Sequence, residues 1–389
     1  MKRVRIFQRG LAVCVATVAL FCGATSSLLS VCGPFTDVAA DAFCPFVLEI
    51  FYLGITTGTT ATTYDPGANV TRLQMAAFLS RTVDGALKRG GRRASLNQFS
   101  TPQNDTVLGL TTVGDSPQGA KADGADVWVA NHSGNSVSRV RESDGKLLET
   151  WTGATAAGGV LVAMGNVFVA GDSIPGRLFR IVPNQAAGAV TTVASNLGGG
   201  GAGIAFDGSR IWTADISNGS VSIVTPGASI PWTVTLVSSW SAPSGVVYDG
   251  ANVWVTDFNQ GIMQKLDGAG AILATATVGS NPFFPLYDGS NIWVPNNGSN
   301  SVSVVRPLTG NVLATLTGNG LNSPQSAAFD GQRVLVTNNG GNSVSLWKAA
   351  DLTTLGTFAT GASTNPYGAC SDGVNFWITL PGTNKLARF

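Results

Sequence analysis

The chain of 389 residues holds one histidine, His132, and three glutamates, Glu49, Glu142 and Glu149. General acid–base or metal chemistry needs several such groups converging on one point, and these four are scattered. The serines have no base beside them in sequence, so nucleophilic catalysis lacks its activating partner. There is no Cys-x-x-Cys, His-Glu-x-x-His or Gly-Lys-Ser/Thr loop, and the glycine run 198–201 leads into a strand rather than a helix. No catalytic residue, metal ligand or cofactor is expected. What does recur is a polar residue closing a short apolar run: Asn131, Asp215, Asp257, Asn296 and Asn338. Nearby connections carry Trp240, Phe283, Phe284 and Tyr367. A polar ring with aromatics beside it suits a glycan or a peptide. The alternative is that Asn and Asp make Asx-turns at these places.

The elements that position these residues repeat. An Asp-Gly pair, or Met-Gly in the second instance, begins at 123, 164, 207, 249, 288, 330 and 372. Successive starts are 41, 43, 42, 39, 42 and 42 residues apart. Asp-Gly between apolar runs predicts a tight hairpin with both central residues at positive φ. A large residue follows in the second strand: Trp128, Phe168, Trp212, Trp254, Trp293, Leu335 and Trp377. Each stands five residues after the first residue of its turn, except Phe168, which stands four after Met164. Two further strands complete each unit, as in 301–306 and 312–317. Four strands per period of this length predict a mostly β fold, a seven-bladed β-propeller. The large residues fill the gaps between blades, at roughly 1.5–3 kcal/mol each.

The last unit runs out after three strands, at Phe389. The segment 106–113 (TVLGLTTV) has the pattern of a fourth strand and precedes the first unit. It is expected to complete blade seven, so that no sheet edge is left open.

Net charge is +1 and 12% of residues are charged, which speaks against a nucleic-acid partner. Residues 1–24 read as a secretory signal, with Lys2, Arg3, Arg5 and Arg9 before an apolar run 11–21 and cleavage between 24 and 30. That run is shorter than the ~20 residues of a membrane span, so no transmembrane segment is expected in the mature chain. Phe21 and Val31 are bulky residues before Cys22 and Cys32, which disfavours lipid attachment. An oxidising compartment permits a Cys32–Cys44 bridge. The other reading makes Cys32, Cys44 and Cys370 small buried hydrophobes. Residues 85–104, with Lys88, Arg89, Arg92 and Arg93, read as a tether. The propeller then spans 105–389.

Residues 31–84 read as a separate helical unit. One helix is predicted from Asp41 to Leu53, stopped by Gly54. A second starts at a Thr71-x-x-Gln74 capping box with Val70 and Met75 as a hydrophobic staple. Met75, Phe78, Leu79, Thr82 and Val83 then share one face. The run Phe35-Thr-Asp37-Val, Leu53-Gly-Ile55-Thr56-Thr-Gly58, Tyr64-Asp-Pro66 and Val70-Thr71-Arg72-Leu-Gln74-Met75 resembles an S-layer homology module over its full length. The resemblance implies a cell-wall anchor that binds envelope polysaccharide or a surface-layer component, with Asp37, Gly58 and Arg72 as glycan-contacting positions. Such modules commonly come as three tandem copies, and one is present here. The family's acidic position is the neutral Gln74.

From 106 onward the motif Asn-x-x-x-Asn-Ser-Val-Ser recurs at 131–138, 296–303 and 338–345. It resembles YVTN-type propeller repeats of secreted proteins and, more distantly, NHL repeats. The expectation is an exported cell-surface protein, anchored through the first module, whose propeller binds a protein or glycan without catalysis. The alternative is a propeller hydrolase or lyase with an axial metal. Enzymes resembling that description draw on His or Glu near the axis, types scarce here.

Overall fold

The computed structural model describes residues 34–38, 43–52, 56–79 and 109–389. The chain forms two compact units, Met1–Ser95 and Leu96–Phe389. The expected signal segment and tether lie outside the described residues.

In the first unit, helix α1 covers Cys44–Tyr52, beginning later than the predicted Asp41. Phe35, Val38, Cys44 and Val47 form its small buried core, with Leu48, Phe51 and Tyr64 packed against them. The Phe35 ring meets Phe51 edge-on at 4.9 Å. Cys44 is disulfide-bonded, and Cys32 lies outside the described residues. Helix α2 covers 72–79, and its capping box forms as predicted. The Thr71 N–H donates to Gln74 Oε1 at 2.9 Å, and the Gln74 N–H donates back to Thr71 Oγ1 at 3.2 Å. Val70 and Met75 are both about half exposed, as is Leu79, while Leu73 is 85% exposed. The face expected to be buried is therefore open, apart from half-buried Phe78; Thr82 and Val83 lie outside the described residues.

The second unit is seven four-stranded antiparallel sheets. Blade one is β2–β5 (Pro117–Ala122, Asp126–Asn131, Ser136–Arg141, Leu147–Thr152), and its four strands are referred to below, from inside out, as a to d. Blades two to six follow in the same order, each from four consecutive strands. Blade seven takes a, b and c from the C-terminus, at Ala369–Ser371, Phe376–Leu380 and Lys385–Arg388. Its strand d is β1, Gly109–Thr112, paired antiparallel from Gly109↔Arg388 to Thr112↔Lys385. The ring is closed as the strand count predicted.

Strands b are buried throughout, whereas strands d alternate toward solvent, as in 312–317. That gradient explains the composition: tryptophan and β-branched residues in b, Thr and Leu in d. Trp128, Trp212, Trp254, Trp293 and Trp377 are fully buried between blades. Each indole also donates to the aspartate that opens its own hairpin. Trp293 Nε1 lies 2.7 Å from Asp288 Oδ2, while Asp288 Oδ1 takes the N–H of Ser290 and Asn291.

The hairpin geometry corrects the sequence reading. In the Asp-Gly blades only the glycine has positive φ, for example 94° at Gly289. The Asp288 N–H donates to Asn291 O at 3.0 Å, so Asp is the first turn residue and Gly the first central one, as in a type II′ turn. In blade two Met164 and Gly165 are both central, with φ 51° and 67°, and Ala163 pairs with Asn166. Ala163 therefore holds the aspartate's place, five residues before Phe168. The irregular spacing is a change of turn type.

Candidate functional site

The three residues that the first module's resemblance singles out have different surroundings. The Asp37 carboxylate accepts the N–H of Tyr64 at 3.0 Å and of Asp65 at 2.7 Å. Those two donors hold it below the usual carboxylate range. A Cβ on Gly58 would lie 2.4 Å from the Phe35 ring and 2.6 Å from the carbonyls of Thr60 and Thr63. Asp37 clamps a loop and Gly58 lets it pack. Arg72 is exposed at the first position of α2. A cation there opposes the helix dipole, while the first-turn amides favour an anion.

The five polar residues of the propeller are brought to equivalent places at the ends of strands b, but not onto a surface. Asn131, Asp215, Asp257, Asn296 and Asn338 are all 0% exposed. Asn296 Nδ2 donates to Ser301 Oγ at 3.1 Å and Ser303 Oγ at 3.0 Å, across the b–c hairpin. Asn131 and Asn338 repeat this with Ser136 and Ser138, and with Ser343 and Ser345. Asp215 accepts from Thr213, Ser220 and Ser222, and burial pushes its carboxyl up to about 6. Asp257 takes the N–H groups of Ser241 and Gln260. All five are buried at the ends of their strands and bond within the blade, while Oδ1 of Asn131, Asn296 and Asn338 has no hydrogen-bond partner among the described residues. For the three Asn, the partners are serines five and seven residues on, not the neighbouring amides of an Asx-turn.

The second Asn of the motif joins blades. Asn135, Asn300 and Asn342 have φ of 46–47°, and each side-chain oxygen takes an N–H of the next blade, from Ala156, Ser323 and Asn365. Asn384 does the same in blade seven, accepting from Ser116 at 2.9 Å. Buried threonines of strand b add a second link. Thr256, Thr337 and Thr379 donate to the carbonyls of Phe283, Tyr367 and Gln118 in the following blade, at 2.7–2.9 Å.

Phe283, Phe284 and Tyr367 do assemble. Phe283 and Phe284 meet at 4.6 Å, Phe284 and Tyr367 at 5.6 Å, and Phe258 joins at 5.6 Å from Phe283. Trp240 packs instead against the core between blades three and four. The cluster forms because Pro282 and Pro285 shorten strand a of blade five to Leu286–Tyr287. The Phe284 N–H reaches Gln325 O in blade six. The three rings are half-buried, and burial pushes the Tyr367 phenol up, with Asp172 adding to the shift.

His132 sits in the b–c turn as aligned, but it has a partner that sequence reasoning missed. Its Nε2 lies 3.3 Å from Asp172 Oδ2 of blade two, with the side chains 29% and 34% exposed. No group of three or more His, Cys, Asp or Glu able to hold a metal occurs among the described residues. Cys370 is free and buried, its thiol pushed up to about 12 by burial.

Strands a surround a central channel of about 380 Å³. Lys121, Tyr248, Tyr287 and Tyr367 are the titratable residues that line it.

The S-layer homology domain family matches residues 34–76. No curated protein matches the chain. Among solved structures, a streptogramin B lyase superposes with a TM-score of 0.63 at 16% identity, covering 74% of this chain and 99% of that one. Kuenenia stuttgartiensis hydrazine synthase gives 0.60 at 17%, covering 75% and 99%. The WD40 propeller domain of Doa1 gives 0.60 at 12%, covering 73% and 97%. At such identities the likeness is one of fold. Among the described residues no helix is long and apolar enough to cross a membrane. The chain thus carries an S-layer homology domain, which marks association with the cell envelope, ahead of a seven-bladed β-propeller.

Proposed function

We propose that this is an exported protein held at the cell surface by its first module, with the propeller displayed as a non-catalytic binding unit for a protein or glycan. The observation that carries the anchoring is the family match at 34–76 together with Arg72, exposed at the start of a correctly capped helix. An acidic wall polysaccharide would meet the guanidinium and the first-turn amides together. Asp37, whose carboxylate also holds the Tyr64–Asp65 loop, and Gly58 are the other glycan-contacting positions of this reading. The non-catalytic reading is supported by the channel, whose lining includes no carboxylate and no histidine. On the outer face the exposed parts of Phe283, Phe284 and Tyr367 are the surface left for a ligand, since the polar ring is buried.

Calorimetric titration of the full chain with isolated wall polysaccharide tests the anchor. Arg72→Ala is expected to weaken binding about tenfold, and Arg72→Lys less. Equal affinity in all three, with unchanged melting, removes Arg72 from the site.

A further inference from the structure

Each strand a contributes one turn of wall to the central channel, and the seven are not alike. The residue just before the turn aspartate is aromatic in blades three to six, at Phe206, Tyr248, Tyr287 and Phe329, and the first three of these line the channel. The corresponding residues of blades seven, one and two are Ser371, Ala122 and Val162. The two tyrosine hydroxyls donate to Gly250 O at 2.9 Å and Gly289 O at 2.8 Å, so both rings are held in place before any ligand arrives. At the other end of the strands Phe284 and Tyr367 stand 5.6 Å apart.

Lys121 of blade one faces this aromatic side from across the ring. It is the one charged residue in any strand a, it lines the channel, and it is exposed. Among the described residues it has no ion pair and no side-chain hydrogen bond. Three arginines near the a–b turns are paired, Arg139 with Asp126 and Glu149, Arg210 with Asp207, and Arg333 with Asp330. The turn carboxylates are occupied too, Asp372 by two backbone amides, Asn375 and the Trp377 indole. Lys121 is the unpaired charge among the residues that line the channel. A cavity of about 380 Å³ falls within the size range of small-molecule sites, which are largely apolar with few polar groups fixing orientation.

We propose that the channel is a binding site for a small amphipathic organic anion. Its carboxylate pairs with Lys121, and its apolar body lies against Phe206, Tyr248 and Tyr287. The site rests on Lys121 and the aromatics at the a–b end of the channel, while Phe284 and Tyr367 line its other end.

The test is calorimetric titration of the full chain with three probes of one shape: 4-phenylbutyrate, 4-phenylbutanol and 4-phenylbutylamine. The anion is expected to bind about tenfold tighter than the alcohol, and the amine more weakly than both. Lys121→Met is expected to bring the anion down to the alcohol's affinity, leaving the alcohol unchanged, and Lys121→Arg to restore the preference. Lys121 is exposed, so both variants are expected to melt with the parent. Equal binding of all three probes by the parent chain overturns the proposal. So does an anion preference that survives Lys121→Met, or an absence of saturable binding.

Discussion

Asp215 shows what a single atom costs in a repeated structure. Blades one, five and six place Asn at its position, with the amide donating to serines five and seven residues on. Asp215 makes the same two contacts as an acceptor, and burial raises its carboxyl from 3.8 to about 6. A raised carboxyl favours the protonated folded form. Its contribution is therefore full below about pH 4 and lost as pH rises through 6. The loss amounts to about 2–3 kcal/mol. Asp215→Asn is expected to stabilise the protein by about 1–3 kcal/mol at pH 8 and to give no advantage below pH 4, measured by denaturant titration at both. A pH-independent difference would contradict the assignment. The turn aspartates work the other way. Asp288→Ala removes the acceptor of the buried Trp293 indole and is expected to cost about 1–3 kcal/mol, whereas the Phe168 ring of blade two has no N–H to satisfy, and Ala163 suffices at the aspartate's place.

At the level of elements, much was legible because turns and strand faces obey short-range rules. The period of the Asp-Gly pairs fixed the blade number, and the missing last strand pointed to 106–113 as its replacement, of which 109–112 pairs with 385–388. The capping box at Thr71 and Gln74 formed as spaced. What could not be read were bonds between blades, because they join residues far apart in the chain. The motif's two asparagines look alike in sequence; one holds its own hairpin and the other holds the next blade. A residue after an apolar strand reads as a surface turn, yet here the incoming d–a connection covers it, with Gly114, Gly198 and Gly279 packed on Asn131, Asp215 and Asn296. Val70 and Met75, spaced as a staple, stay about half exposed, since spacing does not say what packs on the far side. The signal for Lys121 was present, as the lone charge among seven aligned strands. Closure gives a test at this scale. Thr379 and Asn384 join blade seven to blade one across 261 and 268 residues. Thr379→Val leaves the Gln118 carbonyl without that donor and is expected to cost about 1–3 kcal/mol. Deleting 105–114 is expected to abolish cooperative unfolding and promote aggregation through the open edge. A truncated protein that melts like the parent would sink the closure.

For the whole molecule, the two units divide the work. The first has a core of four buried residues and a family match to an envelope-binding domain. The second is a closed ring whose polar repeats are buried at the strand ends, with a central channel and one half-exposed aromatic cluster. A single anchor module should bind weakly on its own, with clustering on the envelope raising the effective affinity. The most direct measurement is co-sedimentation with isolated cell envelopes, comparing the full chain with residues 105–389. The account predicts that the full chain pellets with the envelopes and the propeller stays in the supernatant. Equal sedimentation of the two would contradict it.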